Sequence, residues 1–290
     1  MSLTGLLVSL KTHMNPKPEL PGGKKTAENP GPSDRRSYSQ WNEEVKFWRE
    51  YGQVYQSLEK SGPYRALKST ILDLIQPASN SIWLDAGCGP VSMSRLIWEK
   101  SKGAVGKIIA VDIVLEPAKQ ALGKNAGIPS IELEYSNMGK RQRFPDNYFN
   151  GIIGNLIFPY CIEFEGRNGN DALRGVLEEM HRILKPGGQL VWSTPKQNVH
   201  FEWVFLASLP DMLNIVKYIQ NPKEELSRIF QGTAILKHAL KIQEKGHKGI
   251  YHFLPIEELK TLLEDIGFAR NVFRKTFAAQ AWVISCHKQK

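Results

Sequence analysis

Two carboxylates and two glycines carry the most chemistry in this chain. In Ser81-Ile-Trp-Leu-Asp-Ala-Gly-Cys-Gly-Pro90 an apolar run ends in Asp85, and Gly87, Cys88 and Gly89 lead to a proline. Glycines one residue apart allow a backbone turn too tight for a residue with a Cβ. Pro90 has its φ pre-set for the first turn of a helix and needs no amide donor there. A strand, a glycine loop and a helix N-terminus with partial positive charge together hold nucleotide-like ligands in α/β sheets. Lys107-Ile-Ile-Ala-Val-Asp112 is a second apolar run ending in a carboxylate. An acid at that strand end can accept from both hydroxyls of a ribose. The polar stretch Ser101–Gly106 between the two runs reads as a surface insertion.

The kind of nucleotide follows from what the loop lacks. A dinucleotide fingerprint needs a third glycine where this chain has Ser92. The carboxylate closing the first strand would repel a pyrophosphate but suits an ammonium group. Asp85-Ala-Gly87-Cys-Gly89 therefore resembles the first motif of class I S-adenosylmethionine-dependent methyltransferases, with Val91 where that family commonly has a further glycine. Three later stretches resemble the same family in order. The first is Asp112 at its strand end. Next, Phe144-Pro-Asp-Asn-Tyr-Phe149 leads into the apolar run Gly151–Asn155. Last comes His181-Arg-Ile-Leu-Lys-Pro-Gly-Gly-Gln-Leu-Val-Trp192, a helix, a turn and a strand. The resemblance is closest to the small-molecule branch that includes ubiquinone and menaquinone methyltransferases.

That resemblance implies an α/β fold: a doubly wound, Rossmann-like, seven-stranded and mostly parallel sheet with an antiparallel last strand. It also implies S-adenosyl-L-methionine as cofactor, with S-adenosyl-L-homocysteine as product. Asp85, Gly87, Cys88 and Gly89 would hold the methionine end, Cys88 as a small residue filling space. Asp112 would take the ribose hydroxyls, with Ile113 against the adenine. Asn137 and Met138 stand where the family meets the adenine amino group, and Asn155 and Leu156 would flank the methionine moiety. An acceptor hydroxyl or acidic carbon needs a base, and His200, Tyr160 and Glu163 follow the strands whose ends face the cofactor.

The rest of the chain must position these groups. Trp41–Leu58 and Tyr64–Ile75 read as amphipathic helices, and the resemblance implies that this region, 40–76, covers the cofactor and substrate. Residues 1–39, polar and rich in Pro and Gly from residue 11 on, read as a flexible leader to a methyltransferase domain at 40–290. A helical insertion at 200–251 reads as a lid. In it Pro210 starts a new segment, a helix begins at Asn221-Pro222, and Gly232 separates that helix from another over Thr233–Lys245. Ile256, Leu259, Leu262, Leu263 and Ile266 form a helical stripe ended by Gly267, and two strand-like runs close the chain, Phe268–Phe277 and Ala281–Ser285.

Composition narrows the partners. Cys88, Cys161 and Cys286 lack paired spacing, which argues for a reducing compartment, a cytoplasmic location, and no metal. The net charge of +9 is diffuse, without a basic stripe interleaved with aromatics, so no nucleic-acid partner is expected. Asn155-Leu-Ile-Phe-Pro-Tyr160 is not the motif of base amino-group methylation. The expected partner is a small, largely apolar or amphipathic molecule such as a lipid, quinone, isoprenoid or polyketide. The weighed alternatives are an RNA or protein methyltransferase and a non-catalytic cofactor-binding module. Basic character with apolar helices also suits peripheral membrane contact. The oligomeric state is left open.

Overall fold

The structure, a computed structural model, describes residues 32–123, 128, 130–212 and 222–290. The chain divides into a unit ending at Asn42 and a second unit, Glu43–Lys290. Of the first unit, the opening turns of a helix are described. The sheet and the candidate site belong to the second.

Seven strands form one sheet. They are β1 (Ile82–Ala86), β2 (Lys107–Asp112), β3 (Ile131–Tyr135), β4 (Phe149–Asn155), β7 (Leu184–Pro195), β8 (Phe268–Thr276) and β9 (Ala281–Lys288), in the order β3-β2-β1-β4-β7-β9-β8. A separate two-stranded ribbon joins β5 (Glu163–Phe164) to β6 (Arg167–Asn168). The pairs β2–β3, β1–β2, β1–β4 and β4–β7 are parallel; β7–β9 and β8–β9 are antiparallel. The last strand in sequence therefore runs against the other six, as expected. Strand order reverses between β1 and β4, and such a switch point opens a crevice at the carboxyl ends of the strands.

Helices α1 (Pro32–Leu58), α2 (Gly62–Leu74), α3 (Ser92–Lys100), α4 (Glu116–Gly123), α5 (Asn170–Ile183), α6 (Phe201–Met212), α7 (Pro222–His247) and α8 (Ile256–Ile266) accompany the sheet. Side chains of a strand alternate between faces, so β1 sends Leu84 and Trp83 into different cores. Leu84 joins Ile109, Ile152 and Leu190 against α5 and α8. Trp83 joins Ile108, Ile153 and Val191 against α1, α2, α3, α6 and α7. Strands buried on both faces read as continuous apolar runs, which is why β1, β2 and β4 are legible in the sequence.

Three boundaries differ from expectation. Helix α1 starts at Pro32, so residues 32–39 are helical rather than leader; residues 1–31 lie outside the described residues. A proline needs no amide partner in a first turn, which suits that start. Pro210 lies inside α6 rather than opening a new segment. Gly232 does not end a helix: one helix runs unbroken from Pro222 to His247. Gly232 is buried against the cavity described below, so packing overrides its low helix propensity. The expected cap at Asn221 lies outside the described residues. Gly267, by contrast, caps α8 in the left-handed conformation, φ 99°.

Candidate active site

The glycine loop sits where β1 ends. Gly87 has φ 67°, and a Cβ there would come within 2.6 Å of the Ile157 side chain. Gly89 has φ 47°, and a Cβ there would meet nothing within 4 Å. The first glycine is required by the protein's own packing; the second leaves open space beside the loop. Val91, where the family commonly has glycine, keeps a left-handed backbone (φ 55°, ψ 27°) as N-cap of α3 while fully buried. A β-branched residue is an outlier in that region, so the loop stores strain next to the site.

Asp85 is fully buried. Its Oδ2 accepts from the Ser94 amide at 2.9 Å and from the Ser94 hydroxyl at 2.6 Å. Its Oδ1 is buried without a partner. Burial pushes this carboxyl up to about 7, against the opposing pull of the Ser94 bonds. A buried acceptor left unsatisfied is costly, and a cationic donor there would relieve it. Cys88 is buried and burial raises its thiol, which fits space filling and not reactivity.

Asp112 braces the loop from β2. One carboxylate oxygen accepts from Gly89 N–H at 2.9 Å and the other from Val114 N–H at 2.9 Å. An ionised carboxylate has about four acceptor sites, so the backbone bonds leave capacity for a hydroxyl of a ligand. The side chain is half-buried, as is neighbouring Ile113. Asn137 turns its side-chain oxygen onto Gly139 N–H at 2.8 Å, and its carbonyl accepts from Gln142. Met138 is buried and packs into the core beneath β1 and β2.

A polar relay closes the end of β4. Asn155 donates from Nδ2 to the Tyr64 hydroxyl at 2.9 Å, and Tyr64 bonds Tyr55. The Ser193 hydroxyl donates to Asn155 Oδ1 at 2.7 Å and accepts from Leu156 N–H at 2.9 Å. Leu156 is thereby held at φ 53°, a second strained non-glycine residue at the strand ends. Its side chain lines an apolar cavity. Tyr51, Tyr160, Phe201, Val204, Ile235 and Phe277 contribute much of the remaining wall.

Of the three candidate bases, only Tyr160 lines this cavity. Its ring packs against Trp48, Tyr251 and Phe253 at centroid distances of 5.1, 5.0 and 5.9 Å, and burial raises its phenol far above its ordinary value. The segment after α7 grips the turn that bears it. His252 N–H donates to Pro159 O at 2.8 Å, and its buried ring donates from Nε2 to Cys161 O at 3.1 Å. Tyr251 also donates to Glu44 at 2.7 Å, and Lys245 bonds both Glu44 and Tyr251, tying α7 to α1. Glu163 lies in the β5–β6 ribbon, facing Lys140 at 3.7 Å. His200 is exposed, its Nδ1 3.0 Å from Glu202, at the outer start of α6. The structure does not bring Glu163 or His200 to the cavity wall. Ser193 and His252 are functional positions without a local signal in the sequence, because both act through contacts distant in the chain.

Residues 84–192 match the methyltransferase domain family. This segment is a class I S-adenosylmethionine-dependent methyltransferase domain. It includes Asp85, the glycine loop, Asp112 and the end of β4. Over 117 residues the chain is 32% identical to a demethylmenaquinone methyltransferase of Lysinibacillus sphaericus, covering 40% of this chain and 44% of that one. Over 111 residues it is 31% identical to a malonyl-[acyl-carrier protein] O-methyltransferase of Pseudescherichia vulneris, covering 38% of each. The chain thus spans less than half the length of either relative. Among solved structures, the N-methyltransferase NodS of Bradyrhizobium japonicum superposes with a TM-score of 0.52 at 12% identity, over 83% of this chain and all of that one. An S-adenosylmethionine-dependent methyltransferase from Aquifex aeolicus gives 0.50 at 17%, over 81% and 97%. At such identity the likeness concerns the fold of the methyltransferase domain and its flanking helices.

Proposed function

We propose that the whole chain transfers a methyl group from S-adenosylmethionine to a small, largely apolar or amphipathic acceptor. The observation that carries this reading is the apolar cavity lined by Leu156, the residue that follows β4, beside the glycine loop that Ile157 packs against. The cofactor residues fit. Asp85 Oδ1 offers an unsatisfied carboxylate oxygen for the methionine ammonium, and the space beside Gly89 admits a ligand backbone. Asp112 has acceptor capacity left for the ribose, and Asn137 presents an amide near the end of β3 for the adenine. When bound, S-adenosylmethionine supplies an electrophilic methyl on a sulfonium, so the protein's task is chiefly approach and alignment.

The chain's own groups serve that task. The Tyr64–Asn155–Ser193 relay fixes Leu156, and the α1, α6 and α7 side chains keep water from the acceptor. With its proton held by burial, the Tyr160 phenol orients an acceptor by donating a hydrogen bond and does not remove a proton from it. The quinone and acyl-carrier-protein relatives suggest an acceptor with an apolar body. The test is incubation of the purified protein with methyl-labelled S-adenosylmethionine and fractionated cell extract. Label should enter the organic-solvent fraction; label confined to RNA or protein, or no transfer to any fraction, would contradict the reading.

A further inference from the structure

Helix α6 is apolar on both sides. Phe201, Val204 and Ser208 are buried, whereas Trp203, Leu206, Ala207 and Pro210 are exposed. Trp203 keeps 57% and Leu206 48% of its surface in solvent. Their spacing, three, four and seven residues on from Trp203, places them on one face of the helix. Isolated surface leucines need no explanation, but a contiguous apolar face does.

The neighbouring helix supplies charge. Phe201 N–H donates to Gln243 at 2.7 Å, setting the first turn of α6 against α7 near Gln243. On that stretch of α7, Leu240, Lys237 and Lys241 are exposed. Among the described residues neither lysine makes an ion pair. The acids nearby are already engaged: Glu202 with His200, Asp211 with Arg65 and Glu244 with Lys248. The unbalanced charge beside the apolar face is positive. A second copy brings the same engaged acids and offers these lysines no free counter-charge, whereas an anionic bilayer offers acyl chains to the face and phosphates to the lysines.

We propose that the outer face of α6, with Lys237 and Lys241 of α7, is a docking surface for an anionic lipid bilayer. The inner face of the same helix walls the cavity, so docking sets the cavity against the phase in which an apolar acceptor dissolves. Only this last link rests on the proposed acceptor class.

The full chain would be sedimented with phosphatidylcholine vesicles and with vesicles that also contain phosphatidylglycerol. Preferential binding to the anionic vesicles, weakened by salt, is expected. Trp203→Glu with Leu206→Glu should weaken it by at least about tenfold, and Lys237→Gln with Lys241→Gln by roughly fivefold per lysine at low salt. Circular dichroism and titration with S-adenosylhomocysteine would verify that each variant is folded. No binding by the unsubstituted protein, or equal binding by the Trp203→Glu/Leu206→Glu protein, would overturn the proposal. So would a finding that this double substitution only dissociates a dimer in sedimentation velocity. Failure of S-adenosylhomocysteine to bind would count against the methyltransferase reading and leave the vesicle result standing.

Discussion

Asp85 should make the ligand-free protein less stable as pH rises from about 4 to about 7. Its carboxyl is fully buried and pushed up from 3.8 to about 7 in the folded state. Between those values the folded protein holds a proton that the unfolded chain has released, so the stabilisation is complete below about pH 4 and is lost by about pH 7. Weighing both titrations, the loss between about pH 5 and about pH 8 is on the order of 2–3 kcal/mol. Asp85→Asn keeps an acceptor for the Ser94 amide and hydroxyl but cannot ionise. Urea unfolding of both proteins across this range is the assay. The difference in stability, Asp85→Asn minus parent, should grow with pH by that amount. Two parallel profiles would show that Asp85 does not titrate in this range, and a parent protein that gains on the variant as pH rises would reverse the assigned shift. A cationic ligand at Oδ1 favours the ionised carboxylate, so saturating S-adenosylmethionine should flatten the parent's profile.

Asp112→Ala should weaken S-adenosylhomocysteine binding by roughly 10- to 100-fold in calorimetry, the range for losing one or two charge-assisted hydrogen bonds, while the protein stays folded. Ala239→Phe, which fills the cavity wall, should cut turnover of an identified acceptor by at least about tenfold with cofactor affinity unchanged. A parallel loss of both would place the cofactor in the cavity instead. His252→Ala strips the donor from the Cys161 carbonyl and should cost about 1–3 kcal/mol of stability and raise the acceptor KM more than it lowers kcat. His252→Gln, which restores a donor, should recover part of both.

The site was legible where it depends on neighbours in sequence. A carboxylate ending an apolar run, followed by close-spaced glycines, fixes β1, its turn and the start of α3 within a dozen residues. Asp112 follows the same logic on the adjacent strand. The groups that shape the apolar cavity and its rim are not legible, because they meet across the fold. Ser193 reaches Leu156 from β7, and His252 reaches the Tyr160 turn from beyond α7. His200 was singled out by position after a strand, yet the rotation of α6 turns that end outward. Helix breaks are hard to read from the sequence for a related reason. Gly232 lowers local helix propensity, but a small residue there lets α7 close on the cavity wall.

The central claim is that the glycine loop and Asp112 hold an adenosyl cofactor whose reactive end faces the apolar cavity. A crystal structure with S-adenosylhomocysteine tests it most directly. Ribose hydroxyls are expected on Asp112, the ammonium group toward Asp85, and the thioether sulfur beside Leu156 at the cavity wall. A ligand bound away from Asp112, or with its sulfur walled off from the cavity, would contradict it.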